Sequence, residues 1–173
     1  MGVKLKTVYL LRHAKSDWAD PYQIDKDRVL ADRGVNDAAL LGSYVKRNNI
    51  NPNIIYCSTA QRCKQTLSLM NLCSDKGKKD IIYDDDLYGC HASFLLNILF
   101  HQDKRIDSIL LVNHEPTLSD LVSLLVPRNK ILRTDYQKYN TCGFSILKYK
   151  ANDWSNINQE SLASFEFVIP KNL

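Results

Sequence analysis

The chain has 173 residues, 45% of them hydrophobic, and this length predicts a single domain over residues 1–173 that buries its own core. Its 23 basic and 19 acidic residues give a net charge of +4, which is compatible with an anionic ligand. The sequence contains neither groove-reading motifs nor a dense Lys/Arg stripe with interleaved aromatic residues, so nucleic acid is not an expected partner. No apolar run approaches the roughly 20 residues needed to span a bilayer, so a membrane is not expected either.

The cysteines indicate the compartment. There are five of them, without the spacings of a zinc site, which predicts free thiols in a reducing environment. Cys63 is expected to be a core thiol. The first strand begins within a few residues of Met1, which leaves no room for a signal peptide. We therefore expect a soluble, cytoplasmic protein.

The first predicted strand covers residues 7–11. It is almost wholly apolar, β-branched or aromatic, which is typical of a strand buried on both faces, and it ends in Arg12 and His13. A polar loop over residues 17–28 follows, and apolar residues at spacings of three and four then predict an amphipathic helix over residues 31–48. Its predicted core face comprises Val35, Ala38, Leu41, Gly42 and Val45.

A second buried strand is predicted over residues 54–57. Ser58 and Thr59 are expected to open the next helix, which places Arg62 on its first turn. An arginine there can bind the same anion as the unpaired N–H groups of the helix start. A charged turn over residues 75–80 and a short strand over residues 81–83 follow.

The second half of the chain again has an apolar strand that ends in polar residues and is followed by a helix. A helix is predicted over residues 93–100, and the most apolar strand, over residues 109–112, ends in Asn113 and His114 before another amphipathic helix. Residues 144–149 and 164–168 alternate as two half-exposed strands, expected to be antiparallel at an edge. The pattern predicts an α/β fold: a three-layer α/β/α sandwich whose mainly parallel sheet has an antiparallel edge strand.

The polar residues at the strand ends suggest one site. Because the carboxyl ends of parallel strands meet at one edge of a sheet, we expect Arg12, His13, Arg62 and His114 to lie together. Guanidinium groups suit the equatorial oxygens of a phosphoryl group, and a neutral imidazole can attack phosphorus. The hypothesis is that neutral His13 attacks while protonated His114 donates a hydrogen bond, which requires an environment that separates their pKa values.

Four separated motifs stand out in the sequence. They are Leu-Leu-Arg-His-Ala-Lys-Ser-Asp-Trp (10–18), Leu-x-Asp-Arg-Gly (30–34), Cys-Ser-x-x-x-Arg-x-x-Gln-Thr (57–66) and Leu-Leu-Val-Asn-His-Glu-Pro-x-Leu-Ser-Asp-Leu (110–121). Together they resemble the histidine phosphatase superfamily, and most closely its short branch, the SixA-type phosphohistidine phosphatases. The resemblance covers roughly residues 7–126, in the family's order.

The resemblance implies a phosphoglycerate mutase-like fold and a metal-independent phosphatase without a cofactor. It implies that His13 is the phosphorylated nucleophile, that Arg12 and Arg62 hold the phosphate, and that His114 is the second histidine of the pocket. Asn113 stands where the family commonly has glycine, and its amide either adds a donor to the phosphate or caps the strand.

The substrate is expected to be phosphohistidine on a protein. Larger relatives use an acidic residue after the third strand to protonate an alkoxide leaving group, whereas the candidates here, Asp84, Asp85 and Asp86, lack the usual acid motif. A protonated phosphoimidazole needs no strong acid to leave. Two alternatives stay open: a phosphatase for small phosphomonoesters, and a non-catalytic phospholigand-binding protein. Cys90, His91 and the 17–28 loop are unassigned around the site.

Overall fold

The computed structural model describes residues 4–72, 80–131 and 139–173, and these residues form one six-stranded sheet flanked by four α-helices. The strands are β1 (Leu5–Arg12), β2 (Ile54–Ser58), β3 (Asp80–Asp84), β4 (Ser108–Asn113), β5 (Phe144–Lys150) and β6 (Leu162–Val168). The helices are α1 (Asp32–Arg47), α2 (Gln61–Leu69), α3 (Ala92–Phe100) and α4 (Thr117–Leu125). The strand order is β3-β2-β4-β1-β5-β6.

The sheet is mainly parallel, as the sequence predicted. β3, β2, β4 and β1 pair parallel to one another, while β5 is antiparallel to both β1 and β6. The prediction of two half-exposed strands holds for β6 but is wrong for β5, which is almost wholly buried. The reason is its place in the sheet, because β5 lies between β1 and β6 rather than at the edge.

Two hydrophobic cores cover the two faces of the sheet. Leu10 of β1 belongs to the core formed with α3 and α4, whereas the next residue, Leu11, belongs to the core formed with α1 and α2. Successive side chains of a strand point to opposite faces, so one apolar strand serves both cores. This is the three-layer α/β/α sandwich that the sequence predicted.

Helix α1 differs from its predicted core face at one position. Val35 is 39% exposed, and Gly34 takes the buried place beside it. A Cβ atom at Gly34 would lie 2.2 Å from the carbonyl oxygen of Lys15, so only glycine allows this approach to the segment after β1. The close contact turns the helix toward Gly34 and leaves Val35 at the surface.

Helix α2 begins later than predicted. Ser58 is the last residue of β2, and Gln61 is the first residue of the helix, although Arg62 still lies in its first turn. Cys73 and residues 75–79 of the predicted charged turn lie outside the described residues. Within the described part of the chain, no helix combines the length and the apolar character needed to cross a membrane.

Candidate active site

The strand register brings the candidate residues together. Arg12 of β1 pairs with Asn113 of β4, so that His13 and His114 are the first residues beyond the ends of two neighbouring parallel strands. On the other side of β4, Cys57 of β2 pairs with Val112, which places the end of β2 at the same level. Arg12, His13 and His114 start from this edge of the sheet, and Arg62 follows β2 in the first turn of α2.

His13 is held as a neutral ring with the proton on Nδ1 and the lone pair on Nε2. Its Nδ1 lies 2.8 Å from the carbonyl oxygen of Ala14, which can only accept, so Nδ1 carries the proton. Nε2 then has the lone pair, and it accepts a hydrogen bond from Nε of Arg62 at 3.2 Å. Burial lowers the pKa of His13 to about 3, although the bond to Ala14 opposes this, and nearby His114, Arg62 and Arg12 lower it further.

His114 has the opposite tautomer. Its Nδ1 lies 3.3 Å from a guanidinium nitrogen of Arg62, which can only donate, so the proton is on Nε2 and is donated to the hydroxyl of Ser58 at 2.9 Å. The rings of His13 and His114 are 5.1 Å apart between centroids. Burial lowers the pKa of His114 to about 4, and Arg62 is the next cause.

The expected separation of the two pKa values is therefore wrong for this state of the pocket. Both His13 and His114 are neutral, because both rings are buried beside guanidinium groups that disfavour a further positive charge. A protonated His114 requires a negative charge in the pocket to offset these effects.

Arg62 connects the two histidines to the 17–28 loop. Its side chain is almost wholly buried, and besides His13 and His114 it donates to Asp25, both to the backbone carbonyl at 2.5 Å and to Oδ2 at 2.9 Å. The Asp25 carboxylate thus binds the side of the guanidinium that faces the 17–28 loop, which we call its outer side; the inner side faces His13 and His114. Ala60, the N-cap of α2, makes no side-chain hydrogen bond to the start of this helix.

Arg12 brings a second guanidinium to the pocket. It donates to the carbonyl oxygen of Tyr139, while its buried Nε has no hydrogen-bond partner among the described residues. Burial lowers the pKa of Arg12, Glu115 opposes this effect, and Arg62 adds to it. A buried unpaired N–H costs roughly 1–3 kcal/mol, so Arg12 favours an anionic acceptor at this place.

Asn113 and the nearby cysteines make contacts within the chain. The amide oxygen of Asn113 accepts from the backbone N–H of His114 at 2.7 Å, as a strand cap would, and its nitrogen lies 3.6 Å from Sγ of Cys90. Cys63 is buried with a pKa raised to about 12 by burial, as expected of a core thiol, yet its sulfur lies 3.6 Å from Nε2 of His114. His91 is exposed at the start of α3.

Sequence reasoning missed three residues of this pocket: Asp25, Ser58 and Tyr88. The Tyr88 ring packs edge-on against His114, with centroids 5.5 Å apart, and its hydroxyl donates to Oδ2 of Asp25 at 2.7 Å. Ser58 stands within a quoted motif and could have been found there. Asp25 lies in a polar loop without periodicity, so no sequence pattern distinguished it from Asp27 beside it.

These features define an α/β protein whose strand-end pocket combines two neutral histidines with two guanidinium groups. Such a pocket can bind an anionic group, and it has two unprotonated imidazole nitrogens, Nε2 of His13 and Nδ1 of His114. Within the described ranges, no group of three or more His, Cys, Asp or Glu side chains could hold a metal ion.

The chain belongs to the histidine phosphatase superfamily (branch 1), whose profile matches residues 8–95. Membership implies phosphatase activity. The uncharacterized protein MT1313 of Mycobacterium tuberculosis (strain CDC 1551 / Oshkosh) is 30% identical over 168 residues, which cover 93% of this chain and 100% of the relative.

Solved structures place the chain near the SixA-type branch. It is similar to an Agrobacterium tumefaciens protein provisionally assigned as phosphohistidine phosphatase SixA, with 27% identity, a TM-score of 0.78, and coverage of 95% of this chain and 99% of that one. The protein histidine phosphatase SixA complexed with tungstate has a TM-score of 0.70 at 20% identity, covers 96% of this chain and 98% of that one, and shows the shared fold. The predicted family and fold class are confirmed.

Proposed function

We propose that this protein is a metal-independent phosphatase that forms a phosphohistidine intermediate on His13 and acts on phosphohistidine carried by a protein. One observation carries the proposal. The hydrogen bond from Nδ1 of His13 to Ala14 leaves the lone pair of Nε2 facing the pocket, and the low pKa keeps this nitrogen unprotonated at neutral pH. A nucleophile for phosphorus must have both properties.

In the first step, Nε2 of His13 forms a bond to phosphorus while the bond from phosphorus to the leaving group breaks. The charge on the three equatorial oxygens is met by Arg12 and Arg62. A bound phosphoryl group also raises the pKa of His114, so Nδ1 of that ring takes up a proton and donates it in a hydrogen bond to a phosphoryl oxygen. Two guanidinium groups and one imidazolium supply the positive charge that a metal ion supplies in other phosphatases.

In the second step, water attacks phosphorus. The phosphorylated His13 keeps the proton on Nδ1 because Ala14 accepts it, so the ring is a positively charged and therefore good leaving group. The phosphorus–nitrogen bond breaks, the water oxygen forms the new bond to phosphorus, and the protons of the water leave with the phosphate. His13 returns to its neutral form.

The leaving group is inferred from the carboxylates. Asp25 is engaged by Tyr88 and Arg62, which hold its pKa below the usual value. Asp85 accepts from Lys26 and Thr59, which likewise lower its pKa, and Asp84 accepts from the backbone N–H of Asp86. Asp25 and Asp85 are thus stabilised as anions rather than as proton donors. This favours a leaving group that needs no strong acid, such as a protonated imidazole.

The proposal also covers the substrate, the product and the cellular location. The substrate is a phosphorylated protein or, as the runner-up, a small phosphorylated compound, and the product is phosphate. A cytoplasmic location agrees with Cys57, Cys63, Cys90 and Cys142, all of which have free thiols.

The test is a substrate panel with purified protein. A carrier protein phosphorylated on histidine is compared with p-nitrophenyl phosphate and a sugar phosphate, each with and without EDTA. His13→Ala, purified in the same way, measures the background of contaminating phosphatases. We expect kcat/KM to be at least about 100-fold higher for phosphohistidine, with no effect of EDTA.

Each part of the proposal can fail separately. Equal or faster turnover of a phosphoester would contradict the preference for phosphohistidine. Loss of activity in EDTA would contradict metal independence. Saturable binding of the phosphorylated carrier without release of phosphate would support the non-catalytic alternative instead.

A further inference from the structure

The outer side of the Arg62 guanidinium is bound by one residue of the 17–28 loop. Asp25 accepts from two different nitrogens of Arg62, one with its backbone carbonyl at 2.5 Å and one with its carboxylate at 2.9 Å. Two acceptors on one residue restrict rotation of a planar guanidinium in a way that a single ion pair does not. The inner side of Arg62 is thereby directed toward Nε2 of His13 and Nδ1 of His114.

Asp25 is itself held from three directions. It opens a short 3₁₀ helix over residues 25–27, and its Oδ1 accepts from Arg28 at 3.2 Å. Its Oδ2, which binds Arg62, also accepts from the hydroxyl of Tyr88 at 2.7 Å. Next to it, Lys26 binds Asp85 at 2.7 Å and so ties the loop to the segment after β3.

Arg28, the buried partner of the Asp25 carboxylate, is fixed as well. The side chain of Arg28 is 5% exposed and donates to the carbonyl oxygen of Asp17 through two nitrogens, at 2.9 and 2.7 Å, while its guanidinium carbon lies 3.1 Å from the ring centroid of Trp18. The side chain of Asp25 is 50% exposed, yet its geometry is set by groups with little freedom.

We propose that Asp25 is a positioning residue: it orients Arg62 so that the guanidinium group presents its inner nitrogens to a phosphoryl group between His13 and His114. The inference rests on the proposed function insofar as this pocket receives a phosphoryl group. When the anion binds, it replaces the two histidine nitrogens as acceptor for Arg62, and the two contacts with Asp25 persist. The guanidinium is therefore oriented before the substrate arrives.

The test measures binding of tungstate, a phosphate-like oxyanion, by isothermal titration calorimetry, which requires no turnover. Asp25→Asn keeps the shape of the side chain and its backbone carbonyl but removes the charge. We expect the Kd for tungstate to rise about 10- to 100-fold, the usual range for losing a charged hydrogen bond. Asp27→Asn is the matched control, because it removes the same charge from an exposed residue of the same 3₁₀ helix and should change the Kd less than about 2-fold.

A purely structural role of Asp25 predicts a different result. If Asp25 acts through Arg62, then Asp25→Asn introduced into Arg62→Lys should raise the Kd further by less than about 3-fold, because the oriented guanidinium is already lost. If Asp25 only holds the loop, the full loss should recur in the Arg62→Lys background, and this result would overturn the proposal. So would native-like tungstate binding by Asp25→Asn.

Tyr88→Phe provides a second variant that keeps the ring against His114 and removes only the hydroxyl bound to Asp25. It should raise the tungstate Kd by a factor of about 3 to 10, and an unchanged Kd would contradict the assignment. Thermal melting of each variant verifies that it is folded. Because tungstate binding is scored without a substrate, failure of the phosphohistidine assay would leave this inference standing, and failure here would leave the substrate proposal standing.

Discussion

Acidification should destabilise this protein through two residues, His13 and His114. An unperturbed histidine has a pKa of about 6.5, whereas burial holds that of His13 at about 3 and that of His114 at about 4. Between pH 6.5 and these values the unfolded chain binds more protons than the folded protein. The stabilisation is therefore fully present above pH 6.5 and is lost as the pH falls.

The expected loss of unfolding free energy on acidification is large for a protein of this size. Between pH 7 and pH 5, each neutral buried histidine costs ~2 kcal/mol of unfolding free energy, so the two together cost ~4 kcal/mol. Carboxylates contribute little in this window, because ordinary Asp and Glu side chains stay ionised above pH 5. An oxyanion in the pocket should reduce the effect, since its negative charge raises both histidine pKa values.

The assay is urea unfolding at pH 7 and pH 5 in a buffer free of phosphate. His13→Gln and His114→Gln should each lose ~2 kcal/mol less than the native protein on acidification, and saturating tungstate should make the native protein less sensitive to pH. His91→Gln is the control, because His91 is exposed at the start of α3. If the native protein and a variant carrying both His13→Gln and His114→Gln lose the same free energy of unfolding on acidification, the two rings are not held neutral by burial.

Three further substitutions, the last with Val35→Ala as its control, test the nucleophile, the support of His114 and the contact of α1 with the segment after β1. His13→Ala should abolish turnover and acid-labile ³²P labelling while circular dichroism shows a folded protein, and full activity of this variant would refute the mechanism. Ser58→Ala removes the acceptor for Nε2–H of His114 and should lower kcat/KM about 10-fold; an unchanged kcat/KM would mean that other contacts hold the ring. Gly34→Ala would bring a methyl group to 2.2 Å from the Lys15 carbonyl oxygen and should destabilise the protein by ~2 kcal/mol in urea unfolding, whereas Val35→Ala should cost less than ~1 kcal/mol.

The sequence predicted the assembly of the site for a simple geometric reason. Apolar runs marked β1, β2 and β4, and polar residues followed each run. Because parallel strands end at one edge of their sheet, Arg12, His13 and His114 had to meet there, with Arg62 at the start of the next helix. In the structure, Arg12 of β1 pairs with Asn113 of β4, so the two strands end at the same level.

Other features depended on partners that are distant in the sequence. Alternation in residues 144–149 suggested a half-exposed strand at an edge, but β5 pairs with β1 on one side and with β6 on the other and therefore lies inside the sheet. Val35 lies at the surface because Gly34 contacts Lys15, nineteen positions earlier in the chain. Local periodicity contains no information about such contacts.

The sequence by itself thus determined the fold class, the family, and the four side chains that gather at the strand ends, since these follow from local patterns and from the common direction of parallel strands. Only the tertiary structure decided the protonation of His13 and His114, because burial and the charge of Arg62 and Arg12 act through space. It also decided that Asp25 faces Arg62. A loop residue is oriented by the groups that surround it after folding, and these come from three separate parts of the chain.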